Sequence, residues 1–62
     1  MFTVETSKTG RKSFFHAVYD EDGISCGTAQ SEKGEVFDVR ASRVSTAELR
    51  AIVEAELAKV AS

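Results

Sequence analysis

Lys12-Ser13-Phe14-Phe15-His16-Ala17-Val18-Tyr19 runs directly into Asp20-Glu21-Asp22-Gly23. The first stretch is rich in the aromatic and β-branched residues that suit a pleated strand. The second has Asp at its first position and Gly at its fourth, the preference of a type I turn; a left-handed Gly after such a turn makes a three-residue hairpin loop with a bulge. Strings of the same kind lie on either side, as Ser7-Lys8-Thr9-Gly10 and Ser31-Glu32-Lys33-Gly34. Their glycines recur every 11 to 13 residues. This spacing predicts strands at about 2–6, 12–19, 24–30 and 35–40, joined as an antiparallel meander.

Beyond the last strand the pattern changes period. Ser45-Thr46-Ala47-Glu48 is a capping box, with Val44 and Leu49 at the two staple positions around it. Leu49, Ile52, Val53, Leu57 and Val60 then follow the 3-and-4 spacing of one helical face. Alanines at 47, 51, 55, 58 and 61 raise helix propensity. A helix over about 46–60, fraying at Ala61-Ser62, is expected. The fold class is therefore α+β: a four-stranded, at least three-stranded, antiparallel β-meander over 2–41 and one C-terminal amphipathic helix over 45–61, packed on one sheet face.

A chain of 62 residues holds a single domain, 1–62. Its 42% hydrophobic and 29% charged residues exclude wholesale disorder. A domain this short buries only roughly 60% of the surface its unfolded chain exposes, so its core offsets chain entropy narrowly. Cys26 is the single cysteine, which excludes an internal disulfide; with His16 as the single histidine, a four-ligand zinc site cannot form within one chain. Association is the remaining aid. The stretch Met1-Phe2-Thr3-Val4-Glu5 does not read as a signal peptide, no apolar run is long enough to span a bilayer, and a cytoplasmic, membrane-free protein is expected. Net charge is -2, unevenly spread: residues 1–19 carry +2, 20–39 carry -5 and 40–62 carry +1.

The strand quoted first has large apolar groups on both sides, whereas a strand half exposed to water alternates apolar with polar residues. Three-residue loops throughout would set Val4 opposite Phe14, Val18 opposite Cys26 and Ala29 opposite Phe37. One face then collects Phe2, Val4, Phe14, His16, Val18, Ile24, Cys26 and Val36, and the other Phe15, Ala17, Tyr19, Ala29, Phe37, Val39 and Ala41. One helix covers one face. Leaving the other in water forgoes roughly 1.5–3 kcal/mol per large side chain. The expectation is a homodimer or a protein partner, with Phe15, Tyr19 and Phe37 as contacts. Glu56 interrupts the helix's apolar stripe and is a further contact, reaching water at the helix end or pairing across subunits with Arg40, Arg43 or His16.

Little chemistry is legible. Cys26 and His16 form the minimum pair for thiolate catalysis, but no nucleophile signature surrounds Ile24-Ser25-Cys26-Gly27-Thr28, and a free Cys is more often a core residue. Asp20-Glu21-Asp22-Gly23 lacks the further ligands of a calcium loop and reads as an acidic turn. No enzyme activity, cofactor, metal or small-molecule substrate is expected. Lys8, Arg11 and Lys12 make a basic hairpin tip that suits an anion or, as the alternative function, a β-sheet laid on DNA. In element order alone the chain resembles AP2-type and integrase arm-binding domains; it matches none of their motifs, and such a domain is normally basic where this chain is acidic. The primary expectation is a small non-catalytic interaction module, an accessory regulator or inhibitor such as a phage or plasmid genome encodes.

Overall fold

The computed structural model describes residues 2–61, with side chains as far as Lys59. Four strands, β1 (Thr3–Lys8), β2 (Ser13–Tyr19), β3 (Ser25–Glu32) and β4 (Glu35–Ala41), form one antiparallel sheet in the order β1-β2-β3-β4, followed by α1 (Thr46–Ala61). The expected βββ(β)α architecture is the one observed. The helix continues through Ala61; the Val60 side chain, expected in the apolar stripe, and the fray at Ser62 lie outside the described residues.

The register differs from expectation, and the turns explain why. Only the middle hairpin has the three-residue loop. There the Gly23 amide donates to the Asp20 carbonyl (3.0 Å), the Asp20 amide donates to the Ile24 carbonyl (3.0 Å), and Gly23 has a φ of 80°. The last hairpin turns in two residues: Lys33 and Gly34, at φ 53° and 85°, link the paired Glu32 and Glu35, the signature of a type I′ turn. In the first, β1 runs on to Lys8, opposite Phe14. Val4 therefore faces Val18 rather than Phe14, Val18 faces Gly27 rather than Cys26, and Phe37 faces Gln30 rather than Ala29.

Two bulges complete the correction. Cys26 is an extra residue between the pairs Val18–Gly27 and Tyr19–Ser25. Asp38 and Val39 together stand opposite Ala29, with Asp38 at φ 50°. The two extra residues bring Ala29, Val39 and Ala41 round to the helix side, where they pack with Val18, Cys26, Val36, Leu49 and Val53. The Cys26 carbonyl accepts from the Ser42 and Arg43 amides (2.9 and 3.3 Å), which pins the crossover into the helix.

The helix begins as its cap dictates. The Glu48 amide donates to Ser45 Oγ (3.1 Å) and the Leu49 amide to the Ser45 carbonyl (2.9 Å). Leu49 and Val53 are fully buried and Ile52 and Leu57 border them. Arg50 Nη2 donates to the Val36 carbonyl (3.1 Å) and ties the helix to β4. Ser45→Ala is expected to cost about 1 kcal/mol by urea denaturation, because one orphan amide loses its acceptor.

Candidate functional site

Three regions carry polar or apolar groups that the fold alone does not account for. The first lies inside. His16 is fully buried and its ring is held from both sides: Thr6 Oγ1 is 2.9 Å from Nδ1 and Ser31 Oγ is 2.7 Å from Nε2. Thr6 is the register partner of His16 on β1, and Ser31 projects from β3 to the same helix-facing side. Burial lowers the His16 pKa from its ordinary 6.5, and the nearby Glu56 carboxylate on α1 pulls it partly back. Both hydroxyls can donate or accept, so either tautomer of the neutral ring is satisfied. A serine oxygen 2.7 Å from an imidazole has the geometry of a nucleophile and its base. Here the other ring nitrogen meets a neutral hydroxyl, and Ser31 is only 1% exposed, so no approach to its oxygen is open. Cys26, the sequence-level partner for His16, instead sets its Sγ 3.7 Å from the Ile24 carbonyl.

The second region is the sheet face away from the helix. Phe15 and Phe37 are 38% and 43% exposed, with Ala17 and Tyr19 half-buried beside them. The register arranges this face in rows. One reads Ser7–Phe15–Gln30–Phe37, the next Glu5–Ala17–Thr28–Arg40, and Tyr19 stands between Thr3 and Ser25. Arg40 Nε donates to Asp38 Oδ1 (3.3 Å) and Gln30 Nε2 to Asp38 Oδ2 (2.9 Å). The structure thus gathers Phe15, Tyr19 and Phe37 on one surface. Glu56, the fourth expected contact, is on the helix side, near His16 of its own chain.

The third region is a groove of about 650 Å³ where the C-terminal half of α1 meets the first and last hairpin turns. Alternate turns of a meander fall at the same end of the sheet, and the Lys33 amide donates to the Lys12 carbonyl (3.0 Å), joining these two. Phe14, Leu57 and Ala58 supply apolar walls; Arg11, Lys12 and Lys33 supply cations. Of the basic tip expected from sequence, Arg11 and Lys12 line the groove and Lys8 does not, while Lys33 takes part unforeseen. The signal for Lys33 was present in the third turn string, Ser31-Glu32-Lys33-Gly34, once first and third turns are placed at one end.

At the opposite end, Asp20 Oδ1 accepts from the Asp22 and Ile24 amides (2.9 and 3.0 Å), so that carboxylate serves its own turn. Among the described residues no group of three or more His, Cys, Asp or Glu side chains is placed to hold a metal ion. None of the described helices is long and apolar enough to cross a membrane. No protein-family model, curated protein or solved structure matches this chain.

Proposed function

We propose that this domain is a non-catalytic interaction module that works as a homodimer, two copies packing open sheet face to open sheet face. The observation that carries this reading is the placement of the aromatic residues. The apolar core is Val18, Cys26, Ala29, Val36, Leu49 and Val53, without a phenylalanine or tyrosine among them, while Phe15 and Phe37 stand exposed on the uncovered face.

The face is complementary to itself. A two-fold axis running parallel to the strands, between the sheets, lays β1 over β4 and β2 over β3 of the other copy. Phe37 then meets the partner's Ser7, and Phe15 meets Gln30, a large group over a smaller one in each case. Glu5 meets Arg40, opposite charges at opposite edges of one row. Four strands about 4.8 Å apart and about six residues long give a face of roughly 19 by 20 Å. A face of that size lies below the standard range of specific interfaces, so weak, reversible pairing is what it would support.

Buried Ser31 and His16, closed to substrate, support the non-catalytic part of the reading. The DNA alternative asks for cations on the open face. There Arg40 is engaged with Asp38, and Arg11, Lys12 and Lys33 gather instead at the groove beside the helix. An accessory regulator or inhibitor, made by pairing rather than by catalysis, fits a domain of this size.

Sedimentation equilibrium is the test. The wild type should self-associate at tens of micromolar, and Phe15→Ser or Phe37→Ser should shift it to monomer by about tenfold or more in dissociation constant. Glu5→Arg or Arg40→Glu alone should weaken pairing, and the double exchange should restore it. A wild type that stays monomeric at high micromolar concentration would end this proposal; pairing that the double exchange does not restore would rule out the axis.

A further inference from the structure

The groove beside the helix carries an inference separate from the open face. We infer that it binds a small amphiphilic anion: a single alkyl or aryl body ending in a carboxylate or phosphate. Its volume of about 650 Å³ falls within the range of small-molecule sites, roughly 300–1,000 Å³. Its walls divide by chemistry. Phe14 from β2 and Leu57 and Ala58 from α1 are apolar, and Arg11, Lys12 and Lys33 come from the two turns held together by the Lys33–Lys12 backbone bond. Among the described residues, no ion pair engages any of those three cations. Glu54, the one acidic group on the wall, is already held by Arg50 at 3.5 Å.

The same geometry fixes the orientation of the ligand. Leu57 and Ala58 lie in the C-terminal part of α1, where unpaired carbonyls give a helix end partial negative charge. An anionic head is disfavoured there and favoured at the turns, whose Arg11, Lys12 and Lys33 line the groove. The tail therefore lies along Phe14, Leu57 and Ala58, and the head sits between Arg11, Lys12 and Lys33. A neutral amphiphile gains only the first half of these contacts and a free anion only the second.

Titrations of the folded protein with octanoate, octyl phosphate, octan-1-ol and inorganic phosphate, followed by amide and methyl NMR shifts, test the assignment. Octanoate and octyl phosphate should saturate with dissociation constants of about 0.1–1 mM, the range for ligands of about ten heavy atoms. Shifts should centre on Leu57, Ala58 and Phe14, and octan-1-ol and phosphate should bind at least about tenfold more weakly. Arg11→Ala and Lys12→Ala should each weaken octanoate by roughly five- to tenfold with the thermal midpoint unchanged. Ala58→Glu, on the exposed helix surface, should block the tail. Shifts that stay linear to several millimolar, octan-1-ol matching octanoate, or binding indifferent to Arg11 and Lys12 would each overturn the inference. So would preference for an acidic helical peptide over both amphiphiles, which would make the groove a protein-docking site.

Discussion

Gly27→Ala is expected to remove a large share of the protein's stability, far more than alanine at any other turn or strand glycine described. A Cβ at this position would lie 2.5 Å from the Arg40 carbonyl oxygen, 2.8 Å from Leu49 Cδ2 and 3.0 Å from Ala41 Cα. Two of those atoms are backbone of the neighbouring strand and cannot turn away. The third belongs to Leu49, the largest fully buried side chain. The residue also holds a φ of 154°, which L side chains rarely adopt. Overpacking and backbone strain together cost about 3–5 kcal/mol. A chain of 62 residues has roughly 3–9 kcal/mol of total stability, so the loss is comparable to the whole. Gly23→Ala and Gly34→Ala are the controls. Both positions have positive φ but open space around them, and about 1–2 kcal/mol is expected. Urea midpoints measure all three, and a Gly27→Ala midpoint no lower than the controls would contradict the close approach of strand and helix described above.

The second large effect is on pH dependence. His16 is enclosed, and burial holds its pKa below 6.5 in the folded protein despite the opposing pull of Glu56. The unfolded chain takes up the proton near 6.5, while the folded chain resists it. Below that pH the unfolded state binds more protons, so acidification favours unfolding. The His16 contribution is constant above about pH 7.5, declines as pH falls through 6.5, and levels off once the pH is below the folded value. Its slope cannot exceed about 1.4 kcal/mol per pH unit for one proton. Both hydroxyl partners accept equally well from a protonated ring, so loss of hydration, not loss of hydrogen bonds, drives the effect. Urea midpoints between pH 8 and 5 should fall for the wild type, fall further for Glu56→Gln, and stay nearly flat over that window for His16→Gln. A His16 ring-proton titration with a midpoint at or above 6.5 would remove the basis of the prediction.

The elements themselves were readable because each is set locally. The period-2 runs, the turn strings and the Ser45–Glu48 cap are written in neighbouring residues, and α1 begins where the cap places it. Register was not readable, because a string such as Ser31-Glu32-Lys33-Gly34 is compatible with two turns. The chain takes the shorter one by placing Lys33, a non-glycine residue, at positive φ. Nothing near Asp38 advertises its left-handed backbone either; it is held by Gln30 and Arg40, whose side chains reach it only in the folded sheet. The bulges at Cys26 and Asp38 changed which residues face the helix. Ala29, Val39 and Ala41 turned inward, while Phe15, Tyr19 and Phe37 kept the side their alternation along β2 and β4 implied. The His16 cluster escaped sequence reasoning for the same cause. Thr6, His16 and Ser31 come from three strands and meet only in the true register.

The irregularity at Asp38 also governs how this protein can go wrong. The outer rim of β4 is broken by the extra residue and capped by its side-chain bonds, so it offers an incoming chain no continuous ladder. The rim of β1 is straight across all six residues. For a single copy, strand addition would therefore have one usable side, so rim-to-rim joining of two such copies would leave no second regular rim to extend. Straightening the kink would give each molecule a second adhesive rim and remove that limit.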